Sequence, residues 1–289
     1  MNFSSAFKYP FHNFAKVMSI VLALTIAFAI FIAMILNSHD WSPLLAELYG
    51  NDVSYTSADH FQPLGGTTII GIIGLVVVAI ASGFWLSGYS IEVIRSVMRE
   101  DEWMPGADFG RNVKDGACLF ASSLAYWVMF FVLIFVLAVV YGVLGQVGVL
   151  GGLIGIGSIA FTIGAAFVMG WGYFVGMARF AAEGDYKASW QIKTNMRIAR
   201  QNWQKGVTLL LYMIAFSFIY GAAQQIVSGV FGGLMGANLL TGITLSIILY
   251  YLFNLMQHFS TQVLIAQYAT EIGIRSDNYN PDKDKVGDI

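Results

Sequence analysis

Six long apolar runs, separated by polar segments, dominate the hydropathy pattern of this 289-residue chain. Each run is at least as long as the roughly 20 residues that a helix needs to cross a bilayer core. None has Asp, Glu, Lys or Arg in its interior. The pattern therefore predicts an all-α fold, a polytopic bundle of six transmembrane helices with amphipathic interfacial helices on the cytoplasmic side. The predicted spans are residues 17–36, 67–89, 119–144, 149–178, 207–231 and 242–268.

Residues outside the runs form two smaller units. Residues 1–16 make an aromatic-rich segment that we expect at the cytoplasmic membrane surface, and residues 269–289 make a polar cytoplasmic tail. The whole of 17–268 is predicted to be one membrane domain.

Composition strengthens the membrane assignment. Charged residues make up 11% of the chain and hydrophobic residues 57%, whereas soluble domains have about a quarter charged residues. The chain has too little charge to cover a globular surface in water. The single cysteine, Cys118, excludes an internal disulfide and a cysteine-rich metal site. We expect its thiol to be buried and inert.

Basic residues orient the bundle. Two Lys or Arg precede the first span, four lie in 90–118, six in 179–206 and three follow the last span, which accounts for all fifteen. The three intervening segments on the other side have none. The positive-inside rule then predicts cytoplasmic N- and C-termini. Because no basic stripe lies outside the membrane-flanking loops, nucleic acid is not expected as a partner.

The second span is predicted to continue into the cytoplasm as an amphipathic helix. Glu92 and Arg95 are three residues apart, so their side chains would pair on the helix surface. Pro105 would end the helical segment, and Asp108 would cap a new helix that leads into the third span.

An acidic metal site is the alternative for this loop. Its carboxylates are Glu100, Asp101, Glu102 and Asp108. Consecutive helical carboxylates point in different directions, so the charged surface of a helix end is the favoured interpretation.

Several short motifs in and around this loop resemble one family. They are Gly88–Tyr89, Arg95, the acidic patch, Pro105, Asp108–Phe109, Asp115–Gly116, Tyr9-Pro10-Phe11 and the segment 185–206. Together they are similar to a prokaryotic integral-membrane family known as domain of unknown function 4013. The resemblance implies a six-helix bundle in a prokaryotic plasma membrane. It carries over no catalytic residue.

A second basic segment begins at Asp185. Apolar residues at helical spacing lie on one side of it, and Lys193, Arg197 and Arg200 lie towards the other. This pattern predicts a helix on anionic lipid at the cytoplasmic face; the alternative is a surface for a protein partner. The candidate partner or lipid surface consists of Arg95, Arg99, Asp108, Lys193, Arg197, Arg200 and Trp203.

The last span has the most polar interior. Its polar positions, with two glutamines of the fifth span, are Gln224, Gln225, Thr244, Tyr251, Asn254, Gln257, His258 and Thr261. Polar residues in a span normally face the bundle. Interhelical hydrogen bonds, worth about 0.6 kcal/mol each, are the favoured interpretation. A substrate path is the alternative.

Glycines at four-residue spacing predict close helix packing. They are Gly151, Gly155, Gly172, Gly176, Gly232 and Gly236. In the loop between the first two spans, His39, Asp40, Asp59 and His60 could supply metal ligands, but an ordinary solvated loop is favoured.

These features predict a non-catalytic membrane protein without a cofactor, acting as a scaffold or accessory subunit. Expected partners are membrane lipids, other membrane subunits or further copies of the chain. A transporter or channel for an uncharged or lipid-like solute is the first alternative. An intramembrane enzyme acting on lipids is the second.

Overall fold

The structure, a computed structural model, describes residues 1–38, 65–144, 148–235 and 239–275, and all of their side chains except those of 36, 143–151 and 231–247. Every regular element in these residues is a helix, which confirms the all-α class. The helices are α1 (Phe3–His12), α2 (Phe14–Asn37), α3 (Gly66–Met98), α4 (Phe109–Leu144), α5 (Gly148–Glu183), α6 (Lys187–Trp190), α7 (Ile192–Gln201), α8 (Trp203–Met235) and α9 (Leu239–Glu271).

Five of the described helices are long and apolar enough to cross a membrane. These segments are Phe14–Ile35, Gly66–Met98, Phe109–Gly142, Gly152–Glu183 and Trp203–Val230. They expose many large apolar side chains, such as Ile156 at 70% and Phe218 at 75% of their surface. Apolar surface of this extent is stable against lipid rather than water. The fold therefore indicates a membrane protein.

The sixth predicted span corresponds to α9, which has 33 residues and whose side chains are described from residue 248 onward. This helix lies at the centre of the bundle and packs against α1, α2, α3, α5 and α8. Residues 262–266 are all buried. This central place lets polar side chains such as His258 meet other helices instead of lipid.

The end of α3 differs from its prediction. The helix continues unbroken beyond the predicted span to Met98, and residues 88–96 are all buried, with α4, α5 and α9 packed against α3. This extension is therefore not an exposed surface helix. The alternation of polar and apolar residues showed which side chains share a face, but not that neighbouring helices cover both faces.

A tight turn and a new helix follow α3. The Glu100 N–H donates to Val97 O, and the Asp101 N–H donates to Ser96 O. Glu100 adopts a left-handed conformation with φ of 63°, as expected at this position of a Schellman motif. Asp108 then caps α4, because its Oδ1 accepts from the Arg111 N–H at 3.1 Å. The predicted cap is confirmed.

The segment after α5 forms α6 and α7. Lys193, Arg197 and Arg200 of α7 are exposed and Ala199 is buried, which confirms the predicted amphipathic pattern. Trp203, assigned to the candidate partner or lipid surface, begins α8 and is 58% exposed. Asn195, a polar residue that the pattern did not single out, is fully buried.

Candidate functional site

The described lysines and arginines lie at one end of the bundle, where α3 ends and α4 begins. We call it the charged end. It contains a cluster of four charged side chains, Glu92 and Arg95 from α3 and Arg111 and Asp115 from α4. Glu92 Oε1 lies 2.7 Å from Arg95 Nη1 and 3.1 Å from Arg111 Nη2. Arg111 Nε is 3.9 Å from Asp115 Oδ2. Two acids and two bases thus join the two helices.

Arg95 also ties this four-charge cluster to α5. Its Nε donates to the carbonyl oxygen of Ala181 at 2.9 Å, in the last turn of that helix, where carbonyls have no partner within the helix. A cation at a helix C-terminus is also favoured by the helix dipole. The Arg95 side chain is only 1% exposed. Its assignment to a partner or lipid surface is therefore wrong, although its predicted pairing with Glu92 is confirmed.

The helices that carry the cluster touch through their backbones. A Cβ on Gly88 of α3 would lie 1.8 Å from the carbonyl oxygen of Asn112, and one on Gly116 of α4 would lie 1.7 Å from that of Phe84. Neither glycine was among the six predicted for packing. The signal was available, since both belong to the motifs that resemble the family, but their spacing along the chain does not show that they meet.

The predicted packing glycines serve a different contact. A Cβ on Gly172 would lie 2.5 Å from Met196 Sδ, and one on Gly176 would lie 2.8 Å from Asn195 Nδ2. Both glycines therefore make room for α7 rather than for another span. Gly155 faces Tyr141 of α4, because a Cβ added to Gly155 would lie 3.1 Å from Cε2 of the Tyr141 ring. Predicted positions Gly151, Gly232 and Gly236 lie outside the residues whose surroundings are described.

Asn195 is the residue that holds α7 in place. Its Nδ2 donates to the Tyr126 hydroxyl of α4 at 3.1 Å and to the Ala188 carbonyl at 3.1 Å. Its Oδ1 accepts from Arg179 Nη1 of α5 at 2.9 Å. One buried amide therefore connects α4, α5, α6 and α7.

Hydrogen bonds attach the N-terminal segment to the loop after α3. Asn13 Oδ1 accepts from the Met104 N–H at 2.9 Å, and the Lys16 ammonium donates to the Pro105 carbonyl. The Tyr89 hydroxyl donates to the same carbonyl at 3.0 Å. Burial raises the pKa of the Tyr9 hydroxyl well above its usual value, so this group remains a neutral phenol at physiological pH. The loop and α1 form one ordered surface at the charged end.

The described polar residues of α9 contact several different helices. His258 Nε2 lies 2.6 Å from Ser90 Oγ of α3, whereas Gln257 Nε2 donates to Ser217 Oγ of α8 at 2.9 Å. Tyr251 stacks on Phe28 of α2. Two of these contacts are interhelical hydrogen bonds of the predicted kind, and the third is a ring contact.

The other predicted polar residues of α8 and α9 make no described contact with a neighbouring helix. Asn254 is exposed and bonds the Tyr250 carbonyl of its own helix at 2.7 Å. The Thr261 hydroxyl likewise donates within the helix, to the Gln257 carbonyl at 2.9 Å. On α8, Gln224 is half-buried and Gln225 is exposed. The side chain of Thr244 lies outside the described part.

The remaining predictions concern Arg99, Cys118 and the candidate metal ligands. Arg99 lies 3.6 Å from Asp101 at the surface, and Cys118 is a half-buried free thiol. Within the described residues, no group of three or more His, Cys, Asp or Glu could hold a metal ion. The loop residues His39, Asp40, Asp59 and His60 are outside the described part of the chain.

Comparison with known proteins identifies a family. A family model described as "Protein of unknown function (DUF4013)" matches residues 69–234, from α3 through most of α8. This region contains the four-charge cluster, the Gly88–Gly116 contact and Asn195. No curated protein matches the chain, and neither does any solved structure. Since the match covers more than half of the chain, the protein belongs to the DUF4013 family.

Proposed function

We propose that this protein is a non-catalytic scaffold or accessory subunit of a complex in the inner membrane of a prokaryote. In this proposal it crosses the membrane six times, with α9 as the central sixth span. A helix of 33 residues is about 50 Å long at 1.5 Å per residue, well above the roughly 30 Å of the hydrocarbon core. The charged end faces the cytoplasm, in agreement with the positive-inside rule.

The contacts inside the bundle support a packing role for its polar groups. The cluster of Glu92, Arg95, Arg111 and Asp115 contains equal numbers of acids and bases, already joined to one another. His258 is joined to Ser90. Charges and polar groups arranged in this way stabilise one packing of the helices.

The observation that carries the proposal is a groove at the charged end. Its volume is about 460 Å³, and its walls come from α1, the turn after α3 and α9. Glu100, Asp101 and Glu102 line one wall, and Lys8 and His12 line another. An ordered groove with exposed charges of both signs favours a cytoplasmic protein segment of complementary charge.

Beside the groove, Trp103 is 65% exposed and its ring lies 4.5 Å from that of His12. Exposed aromatic side chains are common anchors in protein interfaces. This tryptophan therefore extends the surface that a partner would cover.

Co-purification from native membranes in mild detergent tests the proposal. We expect a stoichiometric partner with the wild-type chain. The partner should be lost from Glu100→Lys/Glu102→Lys and retained by Asp282→Lys/Asp284→Lys, which makes the same charge change in the tail. Isolation of the wild-type chain alone, or equal recovery of the partner with both variants, would count against the proposal.

A transporter for a lipid-like solute is the second candidate. The observation in its favour is a pair of apolar cavities of about 390 Å³ each on either side of α5, both bordered by Gly170. Solute flux into proteoliposomes that contain only this chain would support it. Unchanged flux in Gly170→Leu would argue that the cavities are not the path.

A further inference from the structure

The groove at the charged end continues beyond the cavity described above. A second cavity, of about 490 Å³, shares Val97, Glu100 and Gln267 with the first. Its further lining includes Thr270 and Glu271 in the last turn of α9. The two cavities therefore form one elongated groove, whose shape suits an extended peptide segment better than a compact ion.

The turn after α3 gives the groove an acidic wall. Glu100, Asp101 and Glu102 line it, and all three are exposed. Asp101 lies 3.6 Å from Arg99, whereas Glu100 and Glu102 have no ion pair in the part of the chain that the structure describes. Residues 99–108 contain four acids and one base. This wall therefore carries negative charge that the chain does not neutralise.

The opposite wall, on α1, carries less charge. Lys8 and His12 line it, and Lys8 also has no ion pair with a described residue. The groove thus keeps Lys8 apart from the acids across from it. Three acids face one lysine and one histidine in the first cavity, so the charge complement of the groove is a basic segment.

Tyr9 contributes an unpaired hydroxyl to the same site. This residue lines the groove and is 8% exposed, and its hydroxyl has no hydrogen-bond partner among the described residues. Ser96, which lies close to it, donates instead to the Trp103 carbonyl at 3.2 Å. A buried hydroxyl without a partner costs free energy. An N–H group of a ligand that donates to the hydroxyl oxygen would remove this cost.

The groove lies at the level where the chain meets its first apolar segment. His12, on one wall, is two residues before the segment Phe14–Ile35. A partner that shares the membrane with this protein brings the cytoplasmic flank of its own span to the same level. Such flanks are rich in Lys and Arg within about 15–20 residues of the span. They supply the basic segment that the groove complements.

We propose that the groove at the charged end binds a basic segment that flanks a membrane span of a partner protein. Arginine or lysine side chains of this segment lie against Glu100 and Glu102, and one of their N–H groups donates to the Tyr9 hydroxyl. Lys8 repels a cation from the opposite wall, so the cations are confined to the side of the turn. This inference rests on the scaffold function proposed above and adds the chemistry of the partner.

The test uses the purified full chain in a nonionic detergent and the fluorescence anisotropy of a labelled peptide with three arginines. A control peptide has citrulline, an uncharged analogue of arginine with nearly the same shape, at these positions. We expect the citrulline peptide to bind about tenfold more weakly. Glu100→Gln/Glu102→Gln should weaken binding of the arginine peptide about fivefold. Tyr9→Phe should weaken it about tenfold without lowering Tm, because the hydroxyl has no partner to lose.

Glu183→Gln/Asp185→Asn is the matched control, because it removes the same two charges from exposed residues outside the groove lining. It should bind the arginine peptide like the wild type. Equal binding of the arginine and citrulline peptides would overturn the proposal, as would unchanged binding in either groove variant. Tighter binding of a peptide with three glutamates would identify an acidic occupant and also overturn it.

The same samples separate this inference from the scaffold function. A partner that co-purifies with the wild-type chain, combined with equal binding of the arginine and citrulline peptides, would overturn the inference alone. A wild-type chain that is isolated without a partner, although it binds the arginine peptide, would count against the scaffold function and leave the groove as a site for basic segments.

Discussion

Gly88 and Gly116 occupy matching positions on the two sides of the contact between α3 and α4. A Cβ on Gly88 would lie 2.8 Å from the backbone nitrogen of Gly116, and one on Gly116 would lie 2.9 Å from that of Gly88. In both directions the nearest atoms are backbone atoms, which cannot rotate away as a side chain would. The two glycines therefore set the distance between helices that hold the four-charge cluster.

Gly88→Ala is expected to destabilise the protein by about 1–3 kcal/mol or more, the usual cost of overpacking a tight contact. The helices would have to separate to accommodate the methyl group. Thermal unfolding of the purified protein in detergent should show a lower Tm. Gly83→Ala, on the same helix, is the control, because a Cβ there would meet nothing within 4 Å. A Tm for Gly88→Ala equal to that of Gly83→Ala would contradict the prediction.

Arg95→Met is expected to destabilise the protein by about 3–5 kcal/mol, because it leaves Glu92 buried with one fewer cationic partner. The double variant Glu92→Gln/Arg95→Met should lose less than the sum of the single changes. Chemical or thermal unfolding of the four proteins gives the coupling energy.

Arg99→Met is the control for this cycle. Arg99 pairs with Asp101 at the surface, and pairs of this kind contribute about 0–1 kcal/mol. If Arg95→Met costs no more than Arg99→Met, the buried cluster does not stabilise the fold as described.

Ser90→Ala and His258→Phe should each cost about 1 kcal/mol, the typical value of a hydrogen bond. The two changes should be non-additive, because both remove the contact between Ser90 Oγ and His258 Nε2. Asn254→Leu should have almost no effect, since Asn254 is exposed and its hydrogen bond among the described residues is to the Tyr250 carbonyl of its own helix. Strict additivity of the first two changes in thermal unfolding would show that they act separately.

Glu100→Gly is expected to stabilise the protein by about 1 kcal/mol, because a left-handed conformation costs a non-glycine residue roughly that amount. Glu102→Gly, two residues later, should bring no gain. A higher Tm combined with loss of the co-purifying partner would show that Glu100 is kept for binding at the expense of stability. An unchanged Tm would mean that the turn holds Glu100 without strain.

The sequence predicts the helices well but not which of their faces pack. Asp108 followed by an apolar run predicts a helix start, and Glu92 and Arg95 at a three-residue spacing predict a pair; the structure has both. In a membrane bundle the lipid-facing and the packed faces are both apolar, so hydropathy does not distinguish them. Burial of Arg95 and the use of Gly88 therefore could not be inferred from the pattern.

The polar face of α9 shows the same limit. Its residues were expected to bond neighbouring helices, and His258 and Gln257 do so. The sequence contains no information on which helix each one meets, since that depends on how helices far apart in the chain are arranged. Asn195 was missed for a related reason, because a single amide between basic and apolar residues is typical of a solvated helix.

The four-charge cluster has a consequence for how the protein enters its membrane. While α3 is the last helix made, Arg95 has Glu92 as a neighbour, but Arg111 and Asp115 of α4 are not yet synthesised, and the Ala181 carbonyl is further away still. An arginine without its full set of partners is costly to enclose in a bilayer. The end of α3 is therefore expected to wait at the membrane surface until α4 has emerged, so that the two helices are inserted as a pair and α5 completes the enclosure.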